Sequence, residues 1–253
     1  MQIKLYTLIL VLSILMMSCK SDTSKTPTAT GIATENKNET PLTALQYAPG
    51  DVLNVFSIAG LNLRTSPGAM NSKIAKIYFG TAVKVLPDSL PKVAYSTNEL
   101  KGFALTRNWV KVVYRDTSGY LFDGYLSSRA VPKKGEDFSD YFDRTAGKIV
   151  QTDSVKPANA GANIFEYNHK LYADGTNLSF QAYEGGFSND IIFAPGKITL
   201  AEAYLLVKNM TVNTKPKYSF DPSKEELRCE NEDSVWTITE KNGQVAVNYS
   251  FAD

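Results

Sequence analysis

Two cysteines and one histidine are all the soft or imidazole ligands that 253 residues contain. A Cys/His zinc site draws on about four such ligands, and a disulfide scaffold needs several pairs, so neither organises this chain. An excess of one charge is also missing. Lys and Arg number 27 against 26 Asp and Glu, for a formal net charge of +1, which leaves no electrostatic footprint for nucleic acid. No glycine-rich phosphate loop occurs, because Gly185-Gly186 precedes no helix start. What the chain does have is 43% hydrophobic residues, with 14 Tyr, 12 Phe and 2 Trp. That content excludes a wholly disordered protein, and the length suits one large domain or two small ones.

The longest apolar run is Leu5 to Met17, interrupted by Thr7 and Ser13 and preceded by Lys4. It falls short of the roughly 20 residues that span a bilayer but has the length of a signal-peptide core. The run ends Leu15-Met16-Met17-Ser18-Cys19. A small residue before a cysteine at this place resembles the lipobox of bacterial lipoproteins, with Met16 and Met17 less usual than the small or branched residues common there. The resemblance implies cleavage after residue 18, diacylglycerol on the Cys19 thiol and a further acyl chain, such as palmitate, on the new amine. Several chains at about 0.8 kcal/mol per buried methylene hold a soluble body on a membrane. Loss of residues 1–18 removes only Lys4 among charged side chains, so attachment would rest on lipid and not on a basic patch. Lys20-Ser21-Asp22 resembles a short tether that directs lipoproteins to the outer membrane, with the periplasmic or surface face left open.

Residues 19–47 form the lipidated tether; from Lys20 on, they are rich in Thr, Ser, Asn and Lys, with Ile32, Leu42 and Leu45 as the large aliphatics. Such a segment buries too little to offset chain entropy and reads as a disordered spacer. Residues 48–132 read as short strands and turns. The sequence Leu61-Asn62-Leu63-Arg64 runs into Ser66-Pro67-Gly68, Trp109 to Tyr114 alternates, and Asp116 to Gly119 turns into Tyr120-Leu121-Phe122. These pieces, with Gly80-Thr81 before Val83 and Val85 and Gly124-Tyr125-Leu126-Ser127, resemble in order and position the bacterial SH3-like domain. The resemblance implies a small antiparallel β-barrel and a binding role in the cell envelope, with peptidoglycan or its peptides among the ligands. It departs from the family at Tyr120, where Trp is commoner. It departs again in a long insertion, residues 87–108, where the family has a short loop. Tyr95 and Phe103 of the insertion are placed to fold back as a cover, with Leu100 to Thr106 as a short added strand. The candidate ligand-binding residues are Tyr78, Trp109, Tyr114, Tyr120 and Tyr125, each with core packing as its competing role, since a small barrel needs large side chains to fill it.

Residues 133–253 form the second expected domain, with no family resemblance. Phe138, Tyr141 and Phe142 have helical spacing up to Gly147. Strands are expected at 163–168, 171–173, 178–183 and 191–193, with Asp174-Gly175 as a hairpin turn. Thr199 and Glu202 form a capping-box pattern that opens an amphipathic helix over residues 200–209, with one apolar stripe from Leu200, Ala203, Tyr204 and Val207. Ser234 to Thr239, Asn242-Gly243 and Gln244 to Phe251 read as a hairpin. The fold class is therefore mainly β: a small SH3-like antiparallel β-barrel followed by a separate α+β domain, with one amphipathic helix on an antiparallel sheet.

A thiol protease would need Cys229 and His169 as its pair. Cys229 lies among Glu225, Glu226, Glu230, Glu232 and Asp233, whose charges raise a thiol pKa, and the stretch reads as a solvated turn around a structural thiol. His169 reads as a surface imidazole. The acidic stretch lacks the ligand spacing of a calcium loop. No cofactor, no metal and no nucleic acid is expected. The leading expectation is a non-enzymatic envelope lipoprotein that binds a ligand. The alternatives are a structural or assembly lipoprotein docking a protein partner and, third, a cell-wall hydrolase using paired carboxylates.

Overall fold

Alternating Val, Tyr, Phe and Thr positions commit about half of the described residues to strands, and every strand pairing among them is antiparallel. The computed structural model describes residues 47–87, 94–155 and 163–252. The expected leader, Cys19 and residues 20–46 of the tether lie outside the described residues, as do 88–93 of the insertion. The described residues belong to one compact unit with two sheets.

The first sheet contains β1 (Val52–Val55), β2 (Leu61–Arg64), β3 (Lys73–Ile77), β4 (Ala82–Val85), β5 (Ala94–Leu100), β6 (Phe103–Tyr114), β7 (Thr117–Phe122) and β8 (Leu126–Ser127). Its strand order is β3-β2-β7-β6-β4-β1-β8, with β5 on the first half of β6. Among the described residues no pairing joins β3 to β8, so the sheet is not closed into the expected barrel. Its own core is aliphatic, built from side chains such as Leu53, Val55, Leu63, Val83, Val112 and Leu121. Strand β6 switches its buried face midway. Phe103, Leu105, Arg107 and Trp109 are buried on one parity, then Val110 and Val112 on the other.

That switch links the halves. Residues 87–108, expected as an insertion, supply β5 and the start of β6, a hairpin that docks on the second half. Phe103 packs on Tyr204 at 5.4 Å and on Phe220 at 5.3 Å, while Tyr95 packs on Trp109 and Phe122. Phe56, Phe103, Leu105, Trp109 and Phe122 thus share one continuous core with Tyr204, Leu227 and Trp236. Residues 48–132 and 133–253 are joined across this core.

The second sheet contains β9 (Ile149–Asp153), β10 (Ile164–Tyr172), β11 (Asn177–Tyr183), β12 (Gly186–Ile192), β13 (Lys217–Asp221), β14 (Glu226–Glu230), β15 (Ser234–Lys241) and β16 (Gln244–Ala252), ordered β13-β14-β15-β16-β12-β11-β10-β9. The Asn242-Gly243 turn forms as expected, with φ of 53° and 74°, the double positive φ of a tight hairpin. Two helices, α1 (Phe138–Thr145) and α2 (Leu200–Met210), cover part of one face. The Thr199–Glu202 capping box is formed in both directions. One expectation about α2 is corrected: it is buried nearly all round and not on a single stripe. Its second face is covered by the β5–β6 hairpin and by Phe56, whose carbonyl accepts from Asn209 Nδ2 at 3.0 Å. A second correction concerns 225–233. Much of this acidic run is strand β14, with Leu227 and Cys229 buried and charged neighbours outward. Alternation, not the local charge, decided its structure.

Polar groups also cross the seam. Glu99 accepts from Lys208 Nζ at 2.7 Å, from Tyr204 at 3.3 Å and from Tyr125. Burial pushes the Glu99 carboxyl up, but the hydrogen bonds from Lys208 and Tyr125, the Lys208 charge and Tyr204 outweigh it and hold it below the ordinary carboxylate value. Ser127 Oγ donates to Glu202 at 2.8 Å. Arg107 is 7% exposed, and Asp123, Glu202 and Glu240 partly offset the loss of hydration that depresses its pKa.

Candidate functional site

The five aromatic candidates of the first half do not converge on one surface. Trp109 is 6% exposed and packs with Tyr95 and Phe122, and Tyr125 packs on the same Phe122. Tyr120 is half-buried against the shared core, and Tyr114 against the aliphatic core. Tyr78 stands 66% exposed. Cys19, the expected lipidation site, lies outside the described residues.

Cys229 and His169 do not meet. The strand register aligns His169 with Ser179, Asp190, Asn248, Thr237 and Arg228, so Cys229, one position on, lies on the opposite face and five strands away. Burial pushes the Cys229 thiol up, against hydrogen bonds with Thr211 and Tyr218. His169 Nε2 lies 3.0 Å from Asn177 Oδ1 on the outer face. Among the described residues no group of three or more His, Cys, Asp or Glu side chains could hold a metal.

The site the structure does assemble lies on the inner face of the second sheet, beyond the area that α1 and α2 cover. It is a groove of about 650 Å³, within the size range of small-ligand pockets. Its floor follows a single line of register. Asn168 on β10 stands opposite Phe180 on β11, then Asn189 on β12, Tyr249 on β16 and Trp236 on β15. With period-2 alternation these five side chains share one face, and neighbouring strands set them about 4.8 Å apart. All five line the groove.

The aromatic part of the floor is rigidly braced. Tyr249 stacks on Trp236 with centroids 3.8 Å apart and planes within 10°. Phe187 meets Tyr249 edge-on at 5.5 Å and lies tilted against Phe180 at 5.8 Å, and Phe138 of α1 packs on Trp236 at 5.0 Å. One wall is the start of α1, where Asp137 caps the helix by accepting from the Asp140 N–H at 2.8 Å.

The charged groups at the rim already have partners. Lys170 Nζ donates to Asp143 at 2.8 Å and to Ser139 at 2.9 Å. Burial pushes the Asp143 carboxyl up, but the hydrogen bonds from Lys170 and Tyr172 and the Lys170 charge together outweigh it and hold its pKa below the ordinary value. Arg144 makes a two-pronged pair with Glu136 at 2.7 Å on each arm, which keeps the Glu136 carboxyl ionised to lower pH than usual. The Asn189 amide, by contrast, makes no hydrogen bond with the described residues.

Sequence reasoning did not find this site. Trp236 and Tyr249 were legible as alternating positions of a hairpin, but β12 was expected at 191–193, too late to bring Phe187 and Asn189 onto the floor. The usable signal was Gly185-Gly186. Gly185 has φ of 81°, and a Cβ on Gly186 would lie 2.2 Å from the Phe251 carbonyl, so this pair marks a tight turn with β12 starting at once.

No family model, no curated protein and no solved structure matches this chain.

Proposed function

We propose that this chain is a non-enzymatic binding protein of the bacterial cell envelope, anchored at the outer membrane through lipid on Cys19. The observation that carries the reading is the braced aromatic and amide floor of the groove. It offers stacking faces and an amide without a hydrogen bond to the described residues, while Lys170 and Glu136 are held in internal pairs and Asp137 caps α1. Those are the properties of a surface that holds a ligand without transforming it. The order of short strands in residues 48–132 supports reading that half as SH3-like, with the β5–β6 hairpin as its added element. In this reading its aromatic residues serve mainly to dock the second sheet. Peptidoglycan or its peptides fit the envelope address.

Two experiments test this. Wild-type protein takes up a palmitate analogue in cells and sediments with membranes, while Cys19→Ala does neither. A photo-crosslinking side chain at position 189 captures a ligand in cells, whereas one at Arg228, on the opposite face, does not. Equal capture at both positions contradicts the site.

A second reading, docking of a protein partner, draws on β9. This edge strand has Ile149 and Val150 exposed at 41% and 51%, with Phe165 on the neighbouring strand at 73%. An apolar sheet edge of this kind accepts an added strand. Capture of one defined protein from position 150, with none from 189, favours that reading.

A further inference from the structure

We infer that the groove takes a neutral saccharide, with a pyranose ring lying on Phe180 between the amides of Asn168 and Asn189. The inference rests on the binding role proposed for the same groove and names the class of its ligand.

The argument begins with spacing. Asn168, Phe180 and Asn189 occupy three successive strands on one register line, so an amide stands on each side of the phenyl ring at about 4.8 Å. A pyranose is about as wide as one such interval on either side of its centre. Its axial C–H groups give it an apolar face, and its equatorial hydroxyls lie around the rim. Seated on the ring, it places hydroxyls toward both amides. Each amide presents a carbonyl acceptor and N–H donors, the combination that a hydroxyl, itself donor and acceptor, satisfies. Asn168 donates one N–H to Glu166 Oε1 at 3.0 Å, which orients its amide and leaves its carbonyl for a ligand.

Charge narrows the class further. Lys170 is bound to Asp143 and Ser139, Glu136 to Arg144, and Asp137 to the first turn of α1. Among the described residues lining the groove the basic side chain is Lys170, so an anionic ligand would have to break its internal pair. A purely apolar ligand, such as an acyl chain, would strip water from the two amides and return nothing. A neutral, polyhydroxylated ring satisfies both the floor and its flanks. Tyr249, stacked on Trp236 one strand beyond Asn189, extends the line and gives room for a second sugar unit in a chain.

Titration of the purified mature protein with cellotetraose, chitotetraose and maltotetraose tests this, followed by calorimetry and by Trp236 fluorescence in a Trp109→Phe background. At least one oligosaccharide should bind saturably. Asn189→Ala and Phe180→Leu should each weaken it tenfold or more, with far-ultraviolet circular dichroism and melting temperature close to wild type. Asn168→Asp should weaken it as well, while Arg228→Ala on the other face should change nothing. If no oligosaccharide binds up to 10 mM (roughly the limit of specific recognition), or if binding is indifferent to Asn189 and Phe180, the inference is overturned. If short peptides or fatty acids bind in the groove and sugars do not, the ligand class fails while the groove stands as a binding site. If no compound of any class perturbs Trp236, the binding reading fails too.

Discussion

Removing the ring of Phe103 should destabilise both halves of the molecule together. Phe103 is 4% exposed and contacts Tyr204 of α2 and Phe220 of β13, although it belongs to the β5–β6 hairpin of the other sheet. A buried Phe→Ala change costs about 3–5 kcal/mol, because the lost transfer free energy is joined by the cavity left behind. For a chain of this size each kcal/mol lowers Tm by about 2–4 °C, so Phe103→Ala should melt roughly 6–20 °C below wild type. The chain's two tryptophans report on opposite sides of the seam, Trp109 from β6 and Trp236 from β15. Urea unfolding would be followed in two backgrounds, Trp109→Phe and Trp236→Phe, each with and without Phe103→Ala. Both reporters should shift to lower urea by the same free energy, in coincident transitions. If the Trp236 transition stays in place while the Trp109 transition moves, the shared core does not couple the halves, and the reasoning is refuted.

Three further outcomes follow from the same packing. Thr199→Ala removes the side chain that accepts from the Glu202 N–H, and should cost about 1 kcal/mol in urea unfolding, with Thr199→Ser restoring most of it. The Glu99 carboxyl titrates below its ordinary value of 4.5 in the folded protein, so its stabilising contribution is complete above that pH and is lost as pH falls through the folded value. Glu99→Gln should therefore be clearly less stable than wild type at pH 7, and the gap should narrow steadily as the pH is lowered below 4.5. A gap that stays constant with pH would assign the loss to packing and not to charge. Cys229 is 2% exposed, so a thiol reagent should leave it unmodified in the native protein and label it only on unfolding.

Local signals in the sequence carried much of the second half. The Asn-Gly turn, the alternation on either side of it and the Thr199–Glu202 box each act within a few residues, and each forms as expected. Helix α1, expected up to Gly147, ends at Thr145 with its apolar residues buried. What could not be read was set by partners distant in the chain. The periodicity of α2 shows one strong face, yet its other face is buried because a hairpin more than ninety positions upstream in sequence lies over it. The acidic residues of 225–233 suggested a turn, whereas cross-strand pairing with β13 and β15 made most of it a strand. The groove was hidden for the same reason. Asn168, Phe180, Asn189, Tyr249 and Trp236 become neighbours only through the register of five strands, and a shift of one residue in any of them would move its side chain to the other face. The aromatics of the first half were visible individually, but whether Trp109 faced a ligand or the core depended on the second sheet against which it packs.

The most direct test of the account is a map of backbone amide shifts as an envelope-derived oligosaccharide is added, with the sugar recovered afterwards and weighed by mass spectrometry. The account predicts saturable shifts centred on Asn168, Phe180, Asn189 and Tyr249, with the sugar returned unaltered. Shifts centred instead around Tyr78 or Tyr120, or a recovered sugar that has been cleaved, would contradict it.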